Sequence, residues 1–169
     1  MHTLVIGASR GLGLEFVSQY RAAGAVVTAT AREDAGLARL HALGAKVVRL
    51  DVADATSAAG LALHIDGEAF DTVIVNAGVY GPRINDLQAP SEAEFDAVMH
   101  TNVLGAMRVL PQLLETLAPG ARLAVISSRM GSMGLRTSSA GWLYRASKAA
   151  LNSVLKDVSL VLAGRAICV

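Results

Sequence analysis

Near its start the chain runs through Gly7-Ala8-Ser9-Arg10-Gly11-Leu12-Gly13, and no other stretch restricts the possible folds as tightly. An apolar run, Thr3-Leu4-Val5-Ile6, precedes it and a helical pattern follows, so the glycines must carry the chain from a strand into a helix. Glycine reaches positive φ without penalty and lets a ligand approach the backbone where a Cβ would block it. The helix that follows offers unpaired N–H groups and the positive end of its dipole. The stretch reads as a phosphate-binding turn, with Gly7, Ser9, Arg10, Gly11, Leu12 and Gly13 as candidate contacts of an anionic dinucleotide. Taken alone, the same residues also fit an ordinary strand-to-helix turn, and the rest of the chain decides between the two.

The 169 residues suffice for one domain, 1–169, with a sizeable core. Lys and Arg number 15 against 14 Asp and Glu, and the basic residues are scattered, which argues against nucleic acid or an anionic membrane surface as a partner. Charge-free runs such as Thr72 to Pro82 and Ala97 to Met107 fall short of the roughly 18 apolar residues of a membrane span. The expectation is a soluble protein with a small-molecule partner. A strand pattern begins almost at Met1, leaving no room for a secretory leader, so the expected location is cytoplasmic. The single cysteine, Cys168, lies in an apolar run and is expected to be a buried thiol. The histidines, His2, His41, His64 and His100, are dispersed, and no metal site is expected.

After the glycine turn, Leu12, Phe16, Val17 and Tyr20 recur at helical spacing, and Gly24 precedes the β-branched run Val26-Val27-Thr28. The rhythm repeats with a helix over Asp34 to Leu43, a strand Lys46 to Leu50, a helix Ala55 to Ile65 and a strand Thr72 to Val75. The strands show almost no polar alternation, which suits parallel strands buried on both faces. An α/β fold with a doubly wound parallel sheet is the economical reading. Ser91 with Glu94 forms a capping-box signature opening a long helical stretch towards Leu117. Pro111 is expected to bend it near Met107, and Pro119-Gly120 to end it. A fifth strand follows over Arg122 to Ile126, then a Ser- and Gly-rich loop, Ser127 to Gly141. A helix from Tyr144 to Leu162 comes next, and a final strand over Ala166 to Val169.

Gly7-xxx-Gly11-x-Gly13, Asp51-Val52, Asn76-Ala77-Gly78, Asn102, Ser128 and Tyr144-xxx-Lys148 stand in an order and spacing that resembles the short-chain dehydrogenase/reductase family. The wording of Ser127 to Ser132 and of Tyr144 to Asn152 is similar to the branch of C-factor and sniffer-like carbonyl reductases. The resemblance spans the whole chain and implies a Rossmann-like sheet. It implies that Asp51 and Val52 hold an adenine ring, that Asn76, Ala77 and Gly78 line the adenosine ribose, and that Lys148 holds the nicotinamide ribose. It further implies that Ser128, rather than its neighbour Ser127, polarises a substrate carbonyl, and that Asn102 holds a water connecting Lys148 to solvent.

Two site features follow from the residues themselves. Where an NAD site places an acidic residue after the second strand, this chain has Thr30-Ala31-Arg32; Arg32, helped by Arg10, suits the 2′-phosphate of NADP(H) rather than the ribose of NAD(H). Glu33 and Asp34 follow closely and offer the alternative. Tyr144 and Lys148, four apart, share one helix face. A phenol with a pKa of about 10 is a poor acid-base catalyst at neutral pH, and an ammonium one turn away favours its phenolate.

The expected function is an NADP(H)-dependent oxidoreductase interconverting a carbonyl and an alcohol of a small substrate, with Asn102, Ser128, Tyr144 and Lys148 as catalytic residues. The alternatives are a dinucleotide-binding signalling protein of the C-factor kind and a truncated, non-catalytic homologue. The apolar stripe of the Tyr144 helix and the Ser91 helix are expected to form a homodimer interface, or part of a tetramer. Because members of the resembling family continue past a sixth strand, the chain is expected to be part of a longer protein, truncated after that strand, and to reduce carbonyls poorly by itself.

Overall fold

The computed structural model describes residues 1–83 and 86–165. Five strands, β1 (His2–Ile6), β2 (Val26–Ala31), β3 (Lys46–Arg49), β4 (Phe70–Val75) and β5 (Leu117–Val125), form one parallel sheet in the order β3-β2-β1-β4-β5. Successive side chains of a strand point to opposite faces, and both faces of the central strands are covered. Leu4, Ile6, Val73 and Val75 pack with Leu61, Val109 and Leu151 on one face; Val5, Val27, Ala29 and Ile74 pack with Val17 and Leu40 on the other. Helices α1 (Gly11–Ala22) and α2 (Asp34–Ala42) therefore cover the second face. The first is covered by α3 (Ala55–Ala59), α4 (Leu61–Ile65), α6 (Gly105–Leu113) and α7 (Trp142–Leu162). The last two strands of the expected reading differ in standing: β5 is present, whereas Ala166 to Val169 lie outside the described residues.

The strand order reverses between β1 and β4. Connections leave the carboxyl ends of these two strands on opposite sides of the sheet, and a crevice opens there, where ligands of such sheets bind. Gly7 leaves β1 and Asn76 leaves β4 at this point.

Two local expectations are corrected, and one feature was not foreseen. The helix foreseen over Ala55 to Ile65 is divided at Gly60, a poor helix former, into α3 and α4. The long helix opens as foreseen, with a reciprocal capping box at Ser91 and Glu94 starting α5 (Glu92–Met99). It departs from α geometry in a π-helical turn over His100–Leu104, which was not foreseen. Pro111 sits on the exposed side of α6, which continues through it. Finally, the helix ends in a 3-10 turn, Leu114–Thr116, and Pro119-Gly120 lies inside β5. There β4 advances from Phe70 to Thr72 while β5 advances from Leu117 to Arg122, so the Pro-Gly pair bulges out of the ladder, with Gly120 at φ 77°.

Candidate active site

A cleft of about 470 Å³ runs along the carboxyl ends of the strands, from Arg10 and Arg32 at one end to Tyr144 and Lys148 at the other. Its floor is the glycine turn. Gly7 adopts φ 81°, and a Cβ there would lie 2.6 Å from the backbone nitrogen of Ala77; at Gly13 a Cβ would overlap the Gly7 carbonyl and lie 2.7 Å from Asn76 Nδ2. The turn is held from three sides. Gly7 N–H donates to Thr30 Oγ1 at 3.0 Å, Asn76 Nδ2 donates to the Gly7 carbonyl at 2.8 Å, and Arg39 Nε donates to the Ser9 carbonyl at 3.2 Å. Arg10 precedes α1 without a side-chain cap, so the first N–H groups of the helix keep their donors for a ligand. Ser9, Gly11 and Leu12 also line the cleft.

At the end of β2, the Arg32 side chain is 56% exposed, with its guanidinium 4.0 Å from Asp51 Oδ2 and 3.9 Å from Glu33 Oε1. Exposed pairs of this length hold little energy, which leaves the guanidinium able to turn towards an anion. Asp34, the other candidate acid, pairs with Arg49. Asp51 is fixed by its backbone N–H, which donates to Ser57 Oγ at 2.9 Å, and by Oδ1, which accepts from Ala53 N–H at 2.9 Å. Arg108, on α6, donates to the carbonyls of Val52 and Ala53 at 3.2 and 2.6 Å. Asp51, Val52, Asn76, Ala77 and Gly78 all line this part of the cleft.

Asn102 lies within the π-helical turn and is 1% exposed. Its Oδ1 accepts from Val79 N–H at 2.8 Å, while Nδ2 donates to the Val79 carbonyl at 2.8 Å and to Ser147 Oγ at 2.9 Å. The Ser147 hydroxyl in turn donates a hydrogen bond to the Tyr144 carbonyl at 2.8 Å. The extra residue in the turn gives Asn102 this reach, as π-turns often do at sites. Both amide protons are used within the protein, and one lone pair of Oδ1 remains for a water.

Tyr144 and Lys148 stand one turn apart on α7, with Lys148 Nζ 5.8 Å from the Tyr144 ring centroid. Lys148 is 4% exposed and its ammonium donates to the Ile126 carbonyl at 2.8 Å. Burial pushes its pKa below the ordinary lysine value. Gly78 passes close to both neighbouring groups: a Cβ there would lie 3.3 Å from Asn102 Oδ1 and 3.5 Å from Lys148 Nζ. Gly131, in a 3-10 turn over Arg129–Gly131, packs on the Lys148 backbone, where a Cβ would come within 2.8 Å.

The two serines take different places. Ser127 lines the cleft and donates to Asn152 Oδ1 at 2.6 Å, whereas Ser128 caps the 3-10 turn, its Oγ accepting from Met130 N–H at 3.1 Å. The cleft thus brings together Tyr144, Lys148 and Ser127, with Asn102 directly behind them. Sequence reasoning missed Thr30, Arg39, Ser147 and Tyr80, whose ring stacks on that of Tyr144 at 4.6 Å. Only Ser147 had a local signal, its place between Tyr144 and Lys148.

The pattern of the family described as short chain dehydrogenase matches residues 1–169. An oxidoreductase of Schizosaccharomyces pombe, described as uncharacterized, is 32% identical over 171 aligned residues, covering 94% of this chain and 66% of that protein. The C-signal protein of Myxococcus xanthus is 38% identical over 93 residues, 53% of this chain and 54% of that one. Among solved structures, a carbonyl reductase from Pseudomonas aeruginosa in complex with NADP superposes with a TM-score of 0.84 at 32% identity, covering 94% of this chain and 71% of its own. The chain spans just under two thirds of the length of the first curated relatives it matches, between 63% and 66%. Among the described residues, no helix is long and apolar enough to cross a membrane.

Proposed function

The chain belongs to the short-chain dehydrogenase family, and from that premise we propose that it is an oxidoreductase that interconverts a carbonyl and an alcohol with NADP(H). The observation that carries this reading is the placement of Tyr144 beside the buried Lys148 ammonium at one end of a cleft whose other end is the glycine turn with Arg10 and Arg32.

The residues present fit a dinucleotide. Gly7 and Gly13 leave backbone room that a Cβ would fill, and the uncapped start of α1 offers N–H donors for a pyrophosphate. Arg32 and Arg10 would hold the 2′-phosphate of NADP(H), Asp51 and Val52 the adenine, Asn76, Ala77 and Gly78 the adenosine ribose, and Lys148 the nicotinamide ribose. When bound, the nicotinamide supplies the hydride in reduction and takes it in oxidation. Tyr144 gives its phenol proton to the carbonyl oxygen in reduction and recovers one in oxidation. The Lys148 ammonium, 5.8 Å from the ring centroid, stabilises the negative charge left on the phenol oxygen. Asn102 fixes the backbone on both sides of the site and offers its remaining Oδ1 lone pair to a water, through which solvent replaces the proton that Lys148 passes on to the Tyr144 phenolate after reduction. A neutral serine hydroxyl orients the carbonyl; Ser128 is the residue the family pattern points to, and Ser127 is the one already on the cleft wall. The substrate is a small carbonyl or alcohol compound, and the setting is cytoplasmic.

The chain pairs with a second copy through α5, α6 and α7, which expose Phe95, Met107, Leu160 and Val161. The similarity to C-signal supports a second reading, a signalling protein that binds the dinucleotide without turnover. A panel of aldehydes and ketones offered with NADPH separates them: consumption of NADPH supports the enzyme, and binding without consumption supports the signalling protein.

A further inference from the structure

Tyr80 is held in place far more firmly than an exposed loop aromatic ordinarily is. The residue before it, Val79, has both backbone groups bonded by Asn102. The residue after it, Gly81, adopts φ 77° and packs so closely on Val98 of α5 that a Cβ would overlap the Val98 side chain. The backbone is therefore fixed on each side of Tyr80. Its ring stacks on Tyr144 with centroids 4.6 Å apart and planes 26° apart, and the Arg83 guanidinium carbon lies 6.0 Å from the Tyr80 centroid. Its hydroxyl abuts Gly141, the residue that opens α7 with φ 68°, where a Cβ would lie 2.5 Å from the Tyr80 oxygen. Tyr80 is thus the point at which the segment leaving β4 meets the first turn of α7, three residues from Tyr144 by way of Gly141.

We infer that Tyr80 is a positioning residue for proton transfer: its ring fixes the plane of the Tyr144 phenol in the cleft. The inference rests on the reading of Tyr144 as the proton donor. A phenol attached by two rotatable bonds sweeps its oxygen through several ångströms, and a face-to-face contact with an anchored ring restricts that motion. Asn102 ties the two rings to one frame, reaching Val79 directly and the Tyr144 carbonyl through Ser147. Tyr80 contacts the ring face of Tyr144, which still lines the cleft, and Tyr80 itself remains 41% exposed. The separation falls in the range that favourable aromatic pairs adopt.

The test compares Tyr80→Leu, Tyr80→Phe and Tyr144→Phe. Tyr80→Leu removes the stack, and its kcat with a saturating aldehyde should fall roughly 10- to 100-fold, the scale of a misplaced reacting group, with KM for NADPH unchanged. Tyr80→Phe keeps the ring and should restore kcat to within about twofold of the parent. Parent-like kcat in Tyr80→Leu, an equal loss in Tyr80→Phe, or a Tyr80→Leu chain that no longer folds would each overturn the positioning role. If Tyr144→Phe keeps turning over, the proton-donor reading fails instead. A readout independent of turnover is the aromatic NMR spectrum of ring-labelled tyrosines: Tyr80→Leu should shift and sharpen the Tyr144 signals as the ring flips faster. Unchanged Tyr144 signals would show that no stack exists in solution.

Discussion

The ammonium of Lys148 is bonded to the carbonyl of Ile126 at 2.8 Å, the residue that follows β5, and among the described residues to no carboxylate. A buried positive charge satisfied by one neutral acceptor is costly, and it persists only where something uses it. Ile126 in turn is bonded through its N–H to Val75 at 2.8 Å, so the lysine is anchored to the same strand ends that shape the cleft.

Burial lowers the Lys148 pKa from its ordinary 10.5. The unfolded chain then holds this proton to higher pH than the folded one, so the burial penalty is constant at low pH and relieved as pH rises through the folded value towards 10.5. Urea midpoints of Lys148→Met and the parent, compared from neutral to alkaline pH, should show an alkaline gain in the parent that the variant lacks. Parallel curves would contradict the shift. Turnover, which needs the ammonium, should fall on the alkaline side at a lower pH than an exposed lysine would give.

Gly13→Ala should unfold more easily than the parent, by about 1–3 kcal/mol, because a methyl group there meets the Gly7 carbonyl and the Asn76 amide. The first of those atoms belongs to the turn and the second is the donor that holds it, so the strain displaces the dinucleotide floor as well as the core. Denaturation and NADPH titration should therefore change together, and a variant with normal stability and affinity would refute the close packing.

Arg32→Ala should weaken NADPH while leaving NADH nearly unaffected, since only the 2′-phosphate needs the guanidinium. The expected loss is about 1.5–3 kcal/mol, the range for hydrogen bonds to a charged group. Fluorescence titrations with both nucleotides check it, and equal losses would overturn the 2′-phosphate role and return the preference to the alternative acids, Glu33 and Asp34.

What the chain's sequence disclosed was the geometry that is local. The glycine turn, the capping box at Ser91 and the Tyr144–Lys148 spacing all act within one or two turns of backbone, and each stands where it was expected. The π-helical turn was not legible, because its cause is non-local: Asn102 bonds to Val79, 23 residues away, and to Ser147, 45 away. Pro111 sits on the exposed face of α6, which continues through it, and the π-helical turn lies ahead of the bend that the proline led one to expect. Pro119-Gly120 has the composition of a turn, and only the pairing of β4 with β5 turns it into a bulge. Tyr80 carried no signal at all, since its neighbours in the chain, Val79 and Gly81, are held by α5 and the turn that follows it.

Tyr144→Phe tests the central claim most directly. NADPH binding and the single-turnover oxidation of NADPH by an aldehyde are measured on the same samples of parent and variant. Binding should be unchanged, because the ring keeps its stack on Tyr80 and its place beside Lys148, and the rate should be at least about 100-fold lower, because the donor is gone. A variant that binds NADPH and consumes it as fast as the parent would contradict the assignment of Tyr144 as the proton donor.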